Sequence, residues 1–212
     1  MNDRRLAKIR EVARTRQNSL GVILENVHDL HNLGAVMRTA DSVGVREIYV
    51  VYSDPNITPK KVKLGKRTSA GTRRWLDVFF YDNLDKCMED VRKKYNKIYA
   101  THLEKNASSV YTLNLTEKVA LLFGNEKDGV SEAALKQCDG NFIIPQIGMA
   151  QSLNISVAAA ITLYEAYRQR KAIGMYDENV PQTAEEQEAL YQIYLERCKI
   201  KDDRLAVKID TE

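Results

Sequence analysis

The sequence predicts an α/β protein in which a parallel β-sheet carries helices on both faces. Six short runs rich in β-branched and aromatic residues recur along the 212-residue chain, and segments with helical spacing separate most of them. Such alternation is typical of a parallel sheet. The predicted strands are residues 21–25, 47–52, 76–81, 97–101, 119–123 and 141–144, and the predicted helices between them are residues 33–43, 84–95 and 131–138.

Further helices are predicted at both ends of this sheet domain. Apolar residues recur at helical spacing within residues 6–13, before the first strand. Towards the C-terminus the composition changes, since residues 177–212 hold ten acidic and five basic residues and include a helical stretch over 184–198. We therefore divide the chain into an N-terminal basic helix (1–18), a central domain (19–176) and a C-terminal helical tail (177–212).

The composition is that of a globular protein with a substantial core. Hydrophobic residues make up 44% of the chain and charged residues 29%, and the net charge is +3. No apolar run reaches the roughly 18 residues that a membrane span requires. Residues 1–17 are charged throughout and contain no apolar signal core. The sequence thus predicts a cytoplasmic protein without a membrane partner.

The cysteines and histidines show no pattern that indicates a disulfide or a metal site. The three cysteines are far apart and odd in number, with no Cys-x-x-Cys pair among them. The three histidines form no recognised zinc spacing. We therefore predict neither a disulfide framework nor a bound metal.

Basic residues are concentrated in two segments. Residues 59–75 hold seven lysines and arginines, no acid and the only tryptophan, Trp75. The first twenty residues hold six basic residues, including Arg16, against two acids. A charged run often marks only a solvated surface, but two basic clusters favour a polyanionic partner such as nucleic acid. The candidate nucleic-acid contacts are Arg10, Lys60, Lys63, Lys66, Arg67 and Arg73.

Three loops with polar side chains follow predicted strands, at the sheet edge where open parallel sheets bind ligands. The first, residues 26–35, leads into a helix on which Arg38 points about 140–200° away from the apolar stripe. Arg38 therefore faces either solvent or a ligand. In the second loop, residues 123–131, Gly124 permits close backbone approach and Ser131 marks a helix start.

The third loop separates a strand that ends at Pro145 from an apolar helix, predicted to be buried, over residues 153–167. Ser152, Asn154 and Ser156 lie at the start of that helix, where a polar group without partners would cost roughly 1–3 kcal/mol. One interpretation is that Ser152 caps the helix. Because capping leaves Asn154 and Ser156 unexplained, the alternative is that a ligand binds here.

Several motifs common in α/β enzymes are missing. No Gly-x-Gly-x-x-Gly follows the first strand, and there is no Gly-x-x-x-x-Gly-Lys-Ser/Thr segment. A serine nucleophile elbow is missing too. The sequence therefore gives no support to a dinucleotide-binding, P-loop or serine-hydrolase interpretation.

Taken together and in this order, the three loops resemble motifs 1, 2 and 3 of the SpoU branch of the SPOUT RNA methyltransferases. Motif 1 is Asn32-x-Gly34-Ala35-x-x-Arg38-Thr39-Ala40, motif 2 is Leu122-Phe123-Gly124-Asn125-Glu126-x-x-Gly129, and motif 3 runs from Ile144-Pro145 to Ser156. The resemblance covers roughly residues 5–176. Segments outside the motifs resemble the TrmH subgroup, which methylates the ribose 2′-hydroxyl of guanosine 18 in tRNA.

The resemblance implies a deep trefoil knot at the C-terminal end of the sheet domain, forming a pocket for the cofactor S-adenosylmethionine. The implied cofactor contacts are Thr101, Gly124, Ile144 and Leu153. The family's catalytic arginine corresponds to Arg38, and the supporting site residues correspond to Asn32, Glu126, Ser152 and Asn154. Family members are homodimers in which the partner subunit completes each active site, and the final core helix would form that interface.

The function implied is S-adenosylmethionine-dependent 2′-O-methylation of tRNA, with guanosine 18 as the substrate nucleotide. Two alternatives stay open at this point. One is a related SpoU enzyme that acts on ribosomal RNA or on another tRNA nucleotide. The other is a non-catalytic RNA-binding relative, against which the presence of Arg38, Glu126 and Asn154 argues.

Overall fold

One sheet organises the protein. The computed structural model describes residues 1–53, 71–104, 107–125, 127–200 and 208–210. The strands within them are β1 Gln17–Glu25, β2 Val45–Val51, β3 Asp77–Tyr81, β4 Lys97–Thr101, β5 Ser108–Ser109, β6 Val119–Phe123, β7 Gly140–Ile143 and β8 Lys208–Asp210. The helices are α1 Asp3–Arg14, α2 Leu30–Ser42, α3 Leu84–Arg92, α4 Glu132–Leu135, α5 Ile155–Ala172 and α6 Ala184–Lys199, with short 3₁₀ helices at Thr72–Arg74 and Val110–Thr112.

Neighbouring strands are parallel throughout the sheet, whose spatial order is β5-β7-β4-β6-β1-β2-β3-β8. Strands β1 and β6 lie at its centre, and every residue of Val119–Phe123 is buried. A strand buried on both faces requires a continuous apolar sequence, and β6 has one. The predicted parallel α/β architecture is confirmed.

Helices cover both faces of the sheet. Strand residues alternate between two apolar clusters, so that Val22 and Val50 belong to one cluster while Ile23 and Val51 belong to the other. Helices α2 and α5 contribute their apolar residues to the first cluster, and α3 and α4 contribute theirs to the second. The two-residue period of the strands therefore places one pair of helices on each side.

The two terminal helices pack against each other. Helices α1 and α6 form a third, smaller apolar cluster. Its buried members are Ile9, Ala13, Leu190, Tyr191 and Tyr194. Both helices were predicted, the first of them from its apolar spacing, and the structure contains both. Each therefore buries its apolar face against the other.

Arg16 is buried, although the sequence suggested that it belongs to an exposed basic cluster. Its guanidinium donates to the Tyr194 hydroxyl at 2.9 Å and to the Val45 carbonyl oxygen at 3.0 Å, and it pairs with the Asp41 carboxylate. A buried guanidinium needs partners of this kind. Since these partners come from distant parts of the chain, local charge density could not indicate them. Arg16 supports the fold and does not face a nucleic acid.

Some elements differ from those predicted. Strand β5 is only Ser108–Ser109, and Lys208–Asp210 adds to the sheet edge beside β3. Neither segment has a long apolar run in the sequence, and each is recognised as a strand by its pairing with a neighbour. Helix α5 is also not buried on all sides, since Val157 and Tyr164 are 45% and 52% exposed. An exposed apolar helix face of this kind is typical of a surface that contacts another protein.

The connection from β4 to β6 passes beyond β7. Strand β5 lies in this connection, yet β7 is located between β4 and β5 although it comes later in the chain. Near the end of α5, Gln169 accepts from the Leu115 amide at 2.9 Å. The neighbouring Arg170 is buried and donates to the Leu115 and Glu117 carbonyl oxygens at 2.8 Å and 2.7 Å. Burial lowers the Arg170 pKa to about 10, so the side chain is still charged at neutral pH. Helix α5 is thereby fixed against the segment that joins β4 to β6.

Candidate active site

A cavity of about 410 Å³ lies at the carboxyl edge of the sheet. It lies where β4, β6 and β7 end, because its wall includes Thr101, Phe123 and Ile143, the last residues of those strands. Loop residues after β7 complete the wall. Ligand clefts in proteins typically have volumes of roughly 300–1,000 Å³. The cavity is therefore large enough for a small-molecule cofactor.

All four predicted cofactor contacts line this cavity. They are Thr101, Gly124, Ile144 and Leu153, and the predicted site residue Ser152 lies in the same wall. The structure thus brings together residues from three separate segments of the chain. Phe123 and Phe142 form an apolar part of the wall and pack edge to face, with ring centroids 6.3 Å apart. Strand ends add backbone amide and carbonyl groups to these apolar surfaces.

The second loop has a compact conformation that requires glycine. A Cβ atom at Gly124 would lie 2.0 Å from the carbonyl carbon of Gly129, so the close approach predicted for Gly124 is made by the chain itself. Gly129 has a positive φ of 71°. Asn125 Oδ1 accepts from the Lys127 and Asp128 amides at 2.8 Å and 2.7 Å. Glu126 lies outside the described residues.

Glu25 is a buried site residue that was not predicted from the sequence. As the last residue of β1 it is fully buried, and its carboxylate accepts from the Ser131 amide at 2.9 Å and from the Ser131 hydroxyl at 2.6 Å. Ser131 in turn accepts from the Ala134 amide and caps α4, as predicted. Glu25 therefore fixes the end of the loop that begins at Gly124. An acid ending an otherwise apolar strand was the available signal.

Asn154, and not Ser152, caps helix α5. Asn154 Oδ1 accepts from the Ser156 amide at 2.9 Å and from the Ser156 hydroxyl at 2.6 Å. The interpretation that Ser152 caps the helix is wrong, because the helix begins at Ile155, one residue after Asn154. Asn154 Nδ2 also donates to Asn32 Oδ1 at 3.2 Å. The third loop is thereby joined to the first.

Arg38 lies on the exposed face of α2, which confirms its predicted direction. The helix begins after Asp29, whose carboxylate accepts from the His31 amide at 2.8 Å. Arg38 does not belong to the described wall of the cavity. Asn154 follows Leu153, which lines the cavity, and Asn32 lies on the same helix as Arg38. The hydrogen bond between Asn154 and Asn32 therefore connects the wall of the cavity to the helix that carries Arg38.

The structure describes only two of the predicted nucleic-acid contacts. Arg10 is exposed, but it forms an ion pair with Glu188 at 2.6 Å and lies 4.0 Å above the Tyr191 ring. Arg73 lies in the 3₁₀ helix Thr72–Arg74. The remaining predicted contacts, Lys60, Lys63, Lys66 and Arg67, lie outside the described residues. An exposed ion pair contributes little stability, so Arg10 can exchange Glu188 for a phosphate at small cost.

A search of the described residues for metal ligands finds no group of three or more histidine, cysteine or acidic side chains that could hold a metal ion. Cys87, Cys138 and Cys198 carry free thiols. No helix in the described part of the chain is long and apolar enough to cross a membrane.

Comparison with known proteins identifies the family. The sequence profile of the SpoU rRNA Methylase family matches residues 19–164, more than half of the chain. The chain belongs to the SpoU methylase family. The SpoU match begins in β1 and ends within α5, so it contains all three loops and leaves α1 and α6 outside.

Individual SpoU relatives cover more of the chain. The tRNA (guanosine(18)-2′-O)-methyltransferase of Thermus thermophilus is 43% identical over 173 residues, covering 82% of this chain and 87% of the relative. The crystal structure of the Aquifex aeolicus TrmH/SpoU tRNA modifying enzyme superposes with a TM-score of 0.83 and 36% identity, covering 94% of this chain and 98% of that one.

A second SpoU structure contains a cofactor. The methyltransferase AviRb of Streptomyces viridochromogenes, in complex with the cofactor AdoMet, has a TM-score of 0.63 and 30% identity to this chain. The match covers 74% of this chain and 62% of AviRb. The region shared with AviRb is therefore the larger part of this SpoU chain.

Proposed function

We propose that this SpoU protein transfers the methyl group of S-adenosylmethionine to the ribose 2′-hydroxyl of guanosine 18 in tRNA. The observation that carries the proposal is the cavity in which Thr101, Gly124, Ile144 and Leu153 meet. The Thermus thermophilus relative with 43% identity, named for this reaction, supports the choice of substrate. The relatives that the chain matches over most of its length are enzymes, which argues against a non-catalytic RNA-binding protein.

The cavity suits S-adenosylmethionine in size and chemistry. A volume of about 410 Å³ lies within the usual range for ligand clefts. Its apolar surface at Phe123 and Phe142 suits an adenine ring, and strand-end backbone groups can bind the base edge and the ribose. Lys127 and Asp128 also line the cavity. Their opposite charges suit the carboxylate and the ammonium group of the amino acid part of the cofactor. AviRb, which shares this region, binds the same cofactor.

When bound, S-adenosylmethionine would supply a methyl group to the 2′-oxygen, the bond from the sulfonium sulfur to that methyl group breaking and leaving a neutral thioether. The hydroxyl must lose its proton as the new C–O bond forms, because the oxygen is a poor nucleophile at neutral pH. A guanidinium keeps its charge at neutral pH and only donates hydrogen bonds, so we assign Arg38 to positioning the ribose and phosphate and to stabilising the charge that develops. Asn32, Glu126, Ser152 and Asn154 support this arrangement as positioning residues.

We propose that the C-terminal part of the sheet domain forms a deep trefoil knot. Two observations support the proposal: β7 is located between β4 and β5, and α5 is hydrogen-bonded to the connection that joins β4 to β6. A chain that runs through this connection between β7 and α5 would be knotted, in contrast to nearly all protein folds. The segment that would pass through the connection from β4 to β6 is the loop from Ile144 to Leu153, which lines the cavity.

We also propose that two copies of the chain form a homodimer through α5, with each active site at the subunit interface. Val157 and Tyr164, about two turns apart on that helix, are both exposed. Ile147 and Met149, in the loop that lines the cavity, are almost wholly exposed. Exposed apolar patches of this kind mark interaction surfaces. Since Arg38 is outside the cavity wall of its own chain, a partner's Arg38 would complete the site.

The division of the chain into 1–18, 19–176 and 177–212 and a cytoplasmic location are further proposals. The family match over residues 19–164 and the packing of α1 on α6 support the division. The proposed substrate supports the location, because tRNA is modified where it is made and used. The two terminal helices would then form one RNA-binding unit beside the catalytic domain.

A second candidate substrate is ribosomal RNA, which the name of the matched family mentions. Another nucleotide of tRNA is the third. The decisive experiment incubates purified protein with labelled S-adenosylmethionine and either unmodified tRNA or ribosomal RNA, and then maps the methylated ribose. We expect label at guanosine 18. Label confined to ribosomal RNA or to another tRNA position would contradict the proposed substrate, and no label together with no cofactor binding would contradict the proposed activity.

A further inference from the structure

A second, smaller cavity lies between the N-terminal helix and the sheet domain, away from the cofactor cavity. Its volume is about 210 Å³. It is lined by Lys8, Ile9, Val12, Asp41 and Trp75, which come from α1, α2 and the residue after the 3₁₀ helix Thr72–Arg74. We infer that this cavity binds an unstacked nucleobase of the RNA substrate, next to the nucleotide that is methylated. The inference rests on the proposed function.

The dimensions of the cavity fit a single ring system. Cavities of about 150 Å³ can enclose benzene, and clefts for whole cofactors usually exceed about 300 Å³. A volume of about 210 Å³ lies between these limits and matches a nucleobase without its sugar. The sugar and phosphate of such a nucleotide would therefore stay outside, at the rim.

The chemistry of the wall separates a base from its phosphate. Ile9, Val12 and Trp75 offer apolar and aromatic surface, on which any base can stack. Asp41 uses Oδ1 to bind Arg16, and among the described residues Oδ2 is left to accept from an N–H group of a base. The same carboxylate repels a phosphate, whereas the exposed Lys8 at the rim attracts one. The occupant is thus a flat group that carries N–H donors and is joined to an anion.

The position of the cavity relates it to the methylation site. Asp41 follows Arg38 by three residues on α2, so the two side chains lie on neighbouring positions of one helix face, about one turn apart. The 3₁₀ helix that precedes Trp75 lies against α2. A strand of RNA held by Arg38 therefore reaches this cavity with an adjoining nucleotide. Enzymes that act on single nucleotides commonly hold bases outside the stack in this way.

Trp75 provides a direct measurement, because it is the only tryptophan in the chain. We expect unmodified tRNA to change Trp75 fluorescence saturably and to shield the indole from acrylamide. Tryptophan emission that does not respond to saturating tRNA would overturn the inference. This titration needs no methyl transfer, so an enzyme that binds RNA at Trp75 but methylates no RNA would contradict the proposed function and leave the subsite standing.

A cavity-filling substitution gives the matching functional test. Val12→Phe adds bulk inside the cavity, and Ala7→Phe places the same aromatic side chain at an exposed position of α1 that does not line it. Base stacking on an aromatic side chain contributes a factor of about 5 to 150 to affinity. We expect Val12→Phe to raise the KM for tRNA about tenfold and to abolish the fluorescence response to tRNA, with the KM for S-adenosylmethionine unchanged. Ala7→Phe should behave as the wild type.

A second variant keeps the inference testable if Val12→Phe does not fold. Lys8→Glu changes an exposed side chain at the rim and reverses its charge. It should also weaken tRNA binding and reduce the salt dependence of that binding. Wild-type KM values for tRNA in a folded Val12→Phe variant, or in Lys8→Glu, would show that no base enters the cavity.

Discussion

Asn154 Nδ2 donates to Asn32 Oδ1 across 3.2 Å, and this bond joins the N-cap of α5 to the first turn of α2, 122 residues away in the sequence. The other end of the same amide, Asn154 Oδ1, accepts from the Ser156 amide at the start of α5. The side chain of Asn154 therefore caps α5, beside the cavity, and also binds the first turn of α2, the helix that carries Arg38. The two roles use different atoms, so substitutions can separate them.

Replacement of Asn154 by serine should retain the cap and lose the bond to Asn32. Serine is a good N-cap but is too short to reach the first loop. We expect Asn154→Ser to unfold at nearly the wild-type temperature while its methylation rate falls at least tenfold. Asn154→Ala should lose the cap as well, and its free energy of unfolding should be about 1 kcal/mol lower than that of the wild type. A fully active Asn154→Ser variant, measured by methyl transfer beside thermal unfolding, would contradict the role given to this bond.

Arg38→Ala should reduce turnover at least a hundredfold, since a donor that stabilises developing charge typically contributes a factor of about 10²–10³. Cofactor binding should persist, because Arg38 is outside the cavity wall. Single-turnover methylation and calorimetric titration with S-adenosylmethionine separate the two effects. Arg38→Lys is the matched variant, since it keeps the charge and loses the planar pair of donors. Turnover close to wild type in Arg38→Ala would remove this residue from the mechanism.

Glu25 should affect cofactor binding without touching the cofactor. Its carboxylate binds both the amide and the hydroxyl of Ser131, at the end of the loop that borders the cavity. Glu25→Gln places an NH₂ group where one acceptor oxygen stood, so a buried donor loses its partner at a cost of about 1–3 kcal/mol. We expect lower stability and weaker S-adenosylmethionine binding by titration.

Ser53→Ala is the control for Glu25, because it removes the 3.4 Å contact of the Ser53 hydroxyl with the carboxylate and the 2.9 Å bond that this hydroxyl accepts from Asn26, and leaves both bonds from Ser131 to Glu25 in place. That variant should bind S-adenosylmethionine with wild-type affinity. Unchanged cofactor affinity in a destabilised Glu25→Gln variant would limit Glu25 to a structural role.

The sheet could be predicted because burial leaves a strong trace in the sequence, whereas long-range polar pairing does not. The continuous apolar run of β6 gave both of its boundaries correctly. The burial of Arg16 depends on a tyrosine 178 residues away, and local charge suggested the opposite location. The helix cap was misassigned by two residues, from Asn154 to Ser152, because both residue types cap helices well. The three loops were identified as one site through their resemblance to known motifs, since separate stretches of sequence contain no information about distance.

Helix α6 is attached to the sheet by a pH-sensitive ion pair. Asp77 is buried, and its carboxylate binds Arg197 of α6 and, at 2.8 Å, Arg46 of β2. Burial raises the pKa of Asp77, but the hydrogen bonds and charges of Arg197 and Arg46 outweigh it and lower the pKa below its ordinary value. The unfolded chain, with an Asp pKa of about 3.9, therefore takes up this proton first as pH falls.

The stabilisation from Asp77 should be complete above about pH 5 and disappear as pH falls through the lowered pKa of the folded protein. Asp77→Asn should remove this pH dependence and lower the free energy of unfolding at pH 7 by about 3 kcal/mol, since it leaves charges without their partner. Urea denaturation at pH 7, 5 and 3 measures both effects. Asp82→Asn, at an exposed position nearby, controls for the loss of one negative charge. Equal pH dependence in Asp77→Asn and the wild type would show that the pair is not the source.

Mixing two inactive variants tests whether each active site combines two subunits. Ala158→Phe blocks the cavity, which Ala158 lines, and leaves Arg38 intact. Arg38→Ala has the complementary defect. If Arg38 acts on the cavity of the partner, a mixed dimer has one complete site, formed by the cavity of one chain and the arginine of the other. Random exchange makes half of the dimers mixed, so about a quarter of the wild-type activity should return.

If Arg38 instead acts on the cavity of its own chain, every site in the mixture carries one defect and no activity returns. Sedimentation of each variant shows whether dimers are present before and after exchange, which separates a failure of exchange from a site contained in one chain. The double variant, with both substitutions in the same chain, is the control. We consider the double variant mixed with wild type. If the site is shared, each mixed dimer has one site with a blocked cavity and an arginine and one site with an open cavity and no arginine. These mixed dimers should therefore be inactive if the site is shared, and half active if it is not.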